Sequence, residues 1–402
     1  MNRLPRDLRL LSIARVARMF AYGAGAVVLA VHLSKLGLSD ARTGQFLTAT
    51  LVGDAVLTFV LGRASDRLGR RRVLLASSVL LLAAGIAFVV SANPWVLLTA
   101  AVIGIMSPSG GEAGPFLPVE QTAAAELLPP GKRVPFYAAY NFMGSVATAT
   151  GALVGGVLAM RGTERAFAIY VVAGIISLAC FGALSASVER ASPAPSKEQK
   201  SGRAKGPIWG MSALFALDSF GSGLALQSVV SLWLYRRFLL NPDTLGSVFM
   251  VTNMLAAFSA LLSGSIAARI GPLRTMVFTH LPANLLLLAF PFAPNLTVAL
   301  CLLFARFLLA QMDVPARMAF TMAVVPKEAR AEAATMTGIA KSAGNALGPQ
   351  VAGALLQNHL VRAPFILAAC LKIVYDTSLY IAFRKNESAG DESSEATRDE
   401  AQ

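Results

Sequence analysis

The sequence predicts an all-α membrane protein whose twelve transmembrane helices form two pseudo-symmetric halves of six helices each. The chain of 402 residues is 55% apolar and only 14% charged, with a mean hydropathy of +0.61, which is too apolar for a soluble globular protein. Apolar runs long enough to cross a bilayer follow one another along the whole chain. Glycines, prolines and arginines recur at an offset of about 200 residues, which indicates an internal repeat.

The apolar runs define the predicted spans, because a transmembrane helix needs roughly 20 apolar residues. In chain order, spans 1 to 12 are 9–34, 41–62, 73–91, 95–118, 135–160, 165–187, 208–235, 243–267, 273–292, 296–322, 332–358 and 363–384. Span 1 is basic and full-length, with no small-residue cleavage site, so we expect a retained helix and not a signal peptide.

The positive charges predict the orientation. With both termini in the cytoplasm, 22 lysines and arginines fall in cytoplasmic segments and 7 in segments on the other side. Such an excess marks the cytoplasmic face. We therefore expect a multi-pass protein of the plasma (inner) membrane of a bacterium. This topology also accounts for the net charge of +13, so no nucleic-acid partner is expected.

Composition also divides the chain into domains. Residues 1–187 form the N-terminal half, residues 188–207 a cytoplasmic linker rich in proline, serine and lysine, and residues 208–385 the C-terminal half. The acidic, serine-rich tail at 386–402 is predicted to be disordered.

The segment 62–74 is the most informative motif. It places five arginines and one aspartate between two apolar runs, so it lies in water beside the membrane. Its form, Gly62-x-x-x-Asp66-Arg67-x-Gly69-Arg70-Arg71, resembles the loop between helices 2 and 3 of the major facilitator superfamily. The resemblance extends over essentially the whole chain, because a second copy lies at 264–271, with Ala268 in place of the aspartate.

The resemblance implies a transporter with a substrate site near the midplane, between its two halves. It also implies that Asp66 meets the N-terminus of helix 11, where free N–H groups attract an anion. Arg67 and Arg70 are then expected to pair with Glu120 or Glu126. The predicted cytoplasmic latch comprises Gly62, Asp66, Arg67, Gly69, Arg70 and Glu120. The alternative is that the arginines only fix topology, which we favour for Arg71 and Arg72.

Two glycine-rich stretches are predicted to pack or bend helices: Gly151, Gly155 and Gly156 in span 5, and Gly348 and Pro349 in span 11. The first resembles the antiporter motif Gly-Pro-x-x-Gly-Gly of drug exporters in the superfamily, although Ala152 occupies the position of the proline. Ordinary close packing between small residues is the alternative.

Span 4 is predicted to be broken. Pro108, Pro115 and Pro118 each remove a backbone donor, and glycines lie between them. A broken helix at membrane depth is tolerated where it lines a cavity or is buried in protein. Glu112, at this break, is therefore a candidate carboxylate for substrate or proton.

Ionisable residues inside spans are costly unless they face a cavity or a partner, so each is a candidate for function. The substrate and proton-coupling candidates are Arg18, Asp54, Glu112, Asp218, Arg306, Asp313 and Lys341. The resemblance implies that helices 1, 4, 7 and 10, which carry five of these residues, line the cavity. His280 is expected to be a polar packing residue, and Lys372 and Asp376, four residues apart, are expected to pair.

We therefore expect a secondary active transporter, not an enzyme, that works by proton-coupled efflux. The expected partners are a small-molecule substrate and membrane lipid, and the expected state is a monomer. No cofactor or metal is expected, and a proton gradient is the expected energy source. Two alternatives stay open. One is uptake or exchange of an organic anion at Arg18, Arg306 and Lys341, and the other is a non-transporting membrane sensor or enzyme on the same fold.

Overall fold

The structure is a computed structural model that describes residues 5–189, 205–325 and 329–399. Within these ranges the chain is almost entirely helical. The α-helices are α1 (Arg6–Lys35), α2 (Asp40–Leu68), α3 (Arg70–Val90), α4 (Pro94–Ile103), α5 (Phe116–Leu127), α6 (Pro130–Ala159), α7 (Ala168–Gly182), α8 (Lys205–Leu224), α9 (Gln227–Phe238), α10 (Pro242–Ile270), α11 (Pro272–Ala289), α12 (Leu296–Ala310), α13 (Asp313–Val324), α14 (Arg330–Gln357) and α15 (Ala363–Asp399).

Ten helical stretches in the described chain are long and apolar enough to cross a membrane, and they correspond to ten of the twelve predicted spans. The other two predicted spans deviate for physical reasons. Span 4 forms only the short apolar helix α4 before the chain leaves helical geometry. Span 11 is helical throughout as α14, but Lys341, Asn345 and Gln350 interrupt its apolar character.

Three predicted spans are broken. The expected break in span 4 occupies the residues between α4 and α5, where Gly110 and Gly114 have φ angles of +75° and +71° and Ile105 has a φ of +54°. Spans 7 and 10 are also interrupted, at residues 225–226 and 311–312. The sequence analysis did not predict the break at 225–226, where neither proline nor glycine occurs.

The described helices group into two compact units. Unit 1 comprises Met1–Ser196, Ala225–Met254 and Ala346–Val361, and unit 2 comprises Lys197–Leu224, Leu255–Asn345 and Arg362–Gln402. Unit 1 therefore combines the N-terminal half with parts of α10 and α14 and with all of α9. Most of the predicted linker 188–207 lies outside the described residues. The backbone of α15 continues through the tail to Asp399, and the predicted disorder of that tail stays a prediction.

In unit 1, α1 is the central helix. It packs against α6, α7 and α9, and most of its residues are buried, including Tyr22 and Leu29. Small residues permit this packing: a Cβ atom added to Gly151 would lie 1.9 Å from the carbonyl oxygen of Phe20. Because no side chain fits there, α6 can cross α1 at backbone contact.

In unit 2, α8, α11, α13 and α15 enclose an apolar core. Met211, Phe215, Leu273, Phe320 and Tyr375 are all buried in it. The same helices carry the charged side chains that form the polar interior of this unit, so those charges are held in a rigid, low-dielectric setting.

Candidate functional site

Unit 1 contains a buried group of charges that we call the Arg18 cluster: Arg15 and Arg18 of α1, Glu112 of the segment between α4 and α5, Glu120 of α5 and Tyr140 of α6. Two of its members, Arg18 and Glu112, were substrate or proton candidates, and Glu120 was assigned to the latch. The structure brings all three into one network through direct and shared contacts.

The innermost pair of this cluster is Arg18 and Glu120, whose side chains are 0% and 1% exposed. Nη2 of Arg18 donates to both carboxylate oxygens of Glu120, each at 2.8 Å. The hydroxyl of Tyr140 donates to Oε2 of the same carboxylate at 2.6 Å. The Arg18 guanidinium also lies 4.1 Å from the ring centroid of Phe116, which adds a cation–π contact.

A second pair in the cluster is more accessible. Nη1 of Arg15 lies 2.8 Å from Oε1 of Glu112, and the Glu112 side chain is 16% exposed. Nη2 of Arg15 donates to Oδ1 of Asn141 at 3.2 Å, and its guanidinium lies 4.3 Å from the ring centroid of Tyr140. Tyr140 therefore contacts both ion pairs: its hydroxyl bonds to Glu120 and its ring packs against Arg15.

Asp54 lies apart from this cluster but on the same broken segment. Its Oδ1 accepts a hydrogen bond from the backbone N–H of Gly114. The left-handed backbone at Gly114 aims this N–H at α2, so Asp54 of α2 holds the non-helical segment in place.

Unit 2 contains a second group, which we call the Asp218 cluster: Asp218 of α8, Asp313 and Arg317 of α13, and Lys372 of α15. Asp218 is its centre. Its Oδ2 accepts from Nη2 of Arg317 at 3.0 Å, and its Oδ1 accepts from Nζ of Lys372 at 2.7 Å. Arg317 also donates to Asp313, one helical turn earlier.

His280 and Asp376 extend this cluster, against expectation. Asp376 does not pair with Lys372; its Oδ1 lies 2.8 Å from Nδ1 of His280 and its Oδ2 accepts from Nδ2 of Asn284 at 2.8 Å. The Lys372 ammonium instead donates to Asp218 and to Oγ of Ser222, the latter at 2.8 Å. Lys372 and Asp376 both find partners on other helices, because each buried charge needs a partner on a neighbouring element.

The remaining candidates in unit 2 are Arg306 and Lys341. Nε of Arg306 is buried and has no hydrogen-bond partner within the described residues, and its guanidinium lies 5.2 Å from the ring centroid of Phe307. Lys341 of α14 is half-buried and is close enough to Asp218 and Asp313 to interact with them electrostatically.

One buried ion pair of each cluster lies on corresponding helices of the repeat. Glu120 and Arg317 occupy nearby positions in the repeat, and Arg18 and Asp218 lie on corresponding helices, α1 and α8, without being in exact register. A buried ion pair joins Arg18 to Glu120 at 2.8 Å in unit 1, and another joins Asp218 to Arg317 at 3.0 Å in unit 2. The arginine is on the earlier helix in unit 1 and on the later helix in unit 2.

The predicted latch divides into separate sites. Arg70 donates two hydrogen bonds of 2.7 Å to the carboxylate of Glu126, which holds the pKa of Glu126 below its usual value. Glu120 is not part of this contact, because Arg18 and Tyr140 hold its carboxylate. The side chain of Asp66 lies outside the described residues.

The other latch residues surround the start of α3. Gly69 has a φ of +92° and ends α2. The carboxylate of Glu189 accepts from the backbone N–H groups of Arg70 and Arg71 at 2.9 and 3.0 Å. Glu189 thus caps α3, a role that the sequence analysis missed. Arg67 is exposed, and no atom lies within 4 Å of a Cβ added to Gly62.

The predicted packing residues lie at close helix crossings inside unit 1. A Cβ added to Gly155 would lie 2.6 Å from the Cα of Ala24, and one on Gly156 would lie 2.3 Å from the carbonyl oxygen of Pro242. In α14, Gly348 and Pro349 are buried. The carbonyl oxygen of Pro349 lies 2.3 Å from a Cβ added to Gly44, so this part of α14 touches α2.

The chemistry that these groups supply is charge pairing. Among the described side chains, no set of three or more His, Cys, Asp or Glu residues is placed to hold a metal ion. Each cluster joins acids and bases inside a helix bundle, where the addition or removal of one charge changes which partners are satisfied. Arg15, Tyr140, Lys372 and His280 were not among the predicted site residues, although Arg15, Lys372 and His280 carried the general signal of an ionisable residue inside a span.

Comparison with known proteins agrees with this architecture. The family model of the Major Facilitator Superfamily matches residues 11–310 and 211–401. An uncharacterised membrane protein of Saccharomyces cerevisiae is 25% identical over 421 residues, 94% of each chain. Among solved structures, a mutant of the nucleoside transporter NupG is similar with a TM-score of 0.74, at 12% identity over 94% of this chain and 100% of that one.

A D-xylose–proton symporter is similar with a TM-score of 0.71, at 14% identity over 93% of this chain and 97% of that one. At these identities the solved structures show the fold. The fold and the family match along nearly the whole sequence agree: the chain belongs to the Major Facilitator Superfamily.

Proposed function

We propose that this protein is a secondary active transporter that exports a small polar organic solute from the cytoplasm in exchange for protons. Three features support the proposal: family membership, the broken membrane helices and the buried ion pairs. Export is supported by the glycine stretch in α6, which resembles the antiporter motif.

The observation that carries proton coupling is the ion pair between Arg15 and Glu112. Its acid is 16% exposed, whereas the acid of the neighbouring Arg18–Glu120 pair is 1% exposed. A proton that reaches Glu112 neutralises it and releases Arg15 from the ion pair. Because Glu112 lies on non-helical backbone, this change can reposition the segment between α4 and α5 without breaking a helix.

Polar solutes are the proposed substrate class. The similar solved structures are named for a nucleoside and for D-xylose, both polar organic molecules. The Arg18 cluster offers suitable groups, because a hydroxyl-bearing solute can hydrogen-bond to the Glu112 carboxylate and to the Asn141 amide. Catalysis has no support in these groups, so we retain the expectation that the protein is not an enzyme.

Uptake or exchange of an organic anion is the second candidate. One observation favours it: Lys341 is half-buried and makes no hydrogen bond or ion pair with the described side chains. A cation in that setting can bind a carboxylate or phosphate of a solute. Arg18 does not support this candidate, because Glu120 already neutralises it and its side chain is 0% exposed.

Proteoliposomes test the proposal. Purified protein is reconstituted with an internal pH-sensitive dye, and sugars, nucleosides, organic anions and cationic drugs are added singly under an imposed pH gradient. Proton exchange predicts solute-dependent proton flux for at least one class. Glu112→Gln should lower this flux by about tenfold or more while solute binding, measured by thermal shift, persists.

The matched control is Glu126→Gln, which removes a similar ion-paired acid outside the membrane spans. It should leave flux unchanged. Full pH-driven flux in Glu112→Gln would refute coupling through this acid, and anion uptake that Lys341→Met abolishes would establish the second candidate. Solute binding without flux would instead indicate a non-transporting sensor.

A further inference from the structure

His280 occupies a setting that packing alone does not explain. Its side chain is 6% exposed, and it stands between two carboxylates: Nδ1 lies 2.8 Å from Oδ1 of Asp376, and Nε2 lies 3.9 Å from Oδ1 of Asp218. Asn284 donates to the other oxygen of Asp376. The imidazole is therefore oriented from one side and faces an acid on the other.

The carboxylate of Asp376 has no permanent cation among the groups bonded to it. Arg317 and Lys372 bond to Asp218 and Asp313, whereas His280 and Asn284 hold Asp376. A buried charge without a partner is costly. A proton on His280 would supply that partner, since its side chain touches Asp376 and faces Asp218.

Every helix around His280 contributes to its electrostatic setting. Asp218 lies on α8, Asp313 and Arg317 on α13, and Lys372, Tyr375 and Asp376 on α15. Arg306 of α12 and Lys341 of α14 act on Asp218 only through longer-range electrostatics. The ring of Tyr375 lies edge-on to His280, with centroids 6.1 Å apart. Of these groups, only His280 bridges Asp376 and Asp218.

We infer that His280 is a reversible proton-binding site, and that its protonation transfers Asp218 from Lys372 to His280. The imidazole carries its first proton on Nδ1, held by the Asp376 carboxylate, so the second proton binds at Nε2. Nε2 and the Lys372 ammonium face the same oxygen, Oδ1 of Asp218. A protonated Nε2 that moves about 1 Å towards this oxygen reaches hydrogen-bond distance.

Proton binding to His280 therefore changes which group bonds to Asp218, while Lys372 and the acids keep their own protonation states. Lys372 stays an ammonium ion and keeps Ser222 as an acceptor at 2.8 Å, while its hydrogen bond to Asp218 weakens. Because Lys372 and Asp218 join α15 to α8, proton binding loosens one link between these helices and strengthens the link from α11 to α8. The inference rests on the proposed proton coupling for its physiological role, though not for its geometry.

Nuclear magnetic resonance of the purified full-length protein tests proton binding directly. The chain has three histidines, so ¹⁵N-histidine labelling gives few signals, and His280→Gln identifies the relevant one. His280 should hold its neutral-state proton on Nδ1, and a second proton should appear on Nε2 as the pH is lowered. His32 is the internal control: its Nδ1 lies 2.8 Å from the Thr163 hydroxyl, and its ring packs near Phe88 and Phe167, so it should keep a single proton in the same pH series.

Two substitutions test the partners. Asp376→Asn removes the carboxylate that holds the Nδ1 proton and should weaken the preference for that tautomer, whereas Lys372→Met removes the competing donor to Oδ1 of Asp218 and should change the Nε2 signal. A His280 signal that shows no second proton at any pH, or that neither substitution changes, would overturn the inference. Asparagine matches aspartate in shape, so Asp376→Asn remains informative if Lys372→Met fails to fold.

Proteoliposome flux separates this inference from the proposed function. If the unmodified protein shows proton-driven flux and His280→Gln keeps the same pH profile, the inference about coupling fails while the transport proposal stands. If the unmodified protein shows no such flux but His280 titrates as described, the transport proposal fails and the proton-binding site stands.

Discussion

The strongest quantitative prediction concerns Glu120→Gln. Its carboxylate neutralises Arg18, and the two side chains are 1% and 0% exposed. Glutamine has the same shape but no charge, so Arg18 would keep its positive charge without a counter-ion. Removal of one partner from a buried ion pair costs about 3–5 kcal/mol. The contact of Arg18 with Phe116, at 4.1 Å, is already present in the unmodified protein and cannot supply the lost charge.

A double variant tests this reasoning. Arg18→Met with Glu120→Met replaces the pair by apolar side chains of similar length, and such replacements are often neutral or stabilising. The double variant should therefore recover most of the stability that Glu120→Gln loses. The assay is the temperature at which purified protein in detergent loses its monodisperse elution peak, measured for all the variants under one condition.

The matched control is Glu126→Gln near the end of α5, whose partner Arg70 begins α3. It also removes the acid of an arginine–carboxylate pair with a 2.7 Å contact, but the Glu126 side chain is 27% exposed. Solvent-accessible pairs contribute about 0–1 kcal/mol, so the elution midpoint should change little. Equal midpoints for Glu120→Gln and the unmodified protein, or a double variant no more stable than the single one, would refute the reasoning.

Three further predictions follow. Arg70 lowers the pKa of Glu126, so this pair stabilises the fold at pH values above the ordinary pKa of glutamate, and the stabilisation is lost as the pH falls through the lowered pKa. Melting temperatures of Glu126→Gln should therefore depend less on pH below about pH 4.5 than those of the unmodified protein. Gly156→Leu should abolish solute flux, because its Cβ would lie 2.3 Å from the Pro242 carbonyl oxygen, whereas Gly62→Ala, with no atom within 4 Å, should not. Asp66→Asn should slow turnover more than it weakens solute binding in proteoliposomes; unchanged turnover would exclude a latch at this residue.

The membrane spans were predictable because span length is a strong constraint. A helix must present about 20 apolar residues to cross lipid, and ten predicted spans reappear as helical stretches that meet this requirement. The break in span 4 was predictable for a similar reason, because three prolines remove backbone donors. The break at 225–226 was not, since its stabilising contacts are distant in sequence: Oγ of Ser228 donates to the carbonyl oxygens of Ala26 and Pro108 at 2.9 and 2.8 Å.

The partners of the buried charges were harder to predict than their positions. Lys372 and Asp376 illustrate the reason. Their spacing of four residues places them on one helix face, and that local rule predicted a pair. In the structure each points to another helix, Lys372 to Asp218 and Asp376 to His280. Local spacing favours a pair by only about 0.2–0.5 kcal/mol, so the need to satisfy several buried groups at once outweighs it.

The buried ion pairs of the two units carry their charges in opposite order along the chain. In unit 1 Arg18 of α1 donates to Glu120 of α5, whereas in unit 2 Arg317 of α13 donates to Asp218 of α8. A buried pair needs one charge of each sign, and either helix can supply either charge, so exchange of the two leaves the pair intact. The surroundings differ more: Tyr140 donates to Glu120 in unit 1, whereas Lys372 donates to Asp218 in unit 2. The neutral donor leaves the pair in unit 1 balanced, and the charged donor ties the pair in unit 2 to a larger network that extends to His280. For this reason we place the further proton-binding site, His280, in the network of unit 2 and not at the Arg18–Glu120 pair.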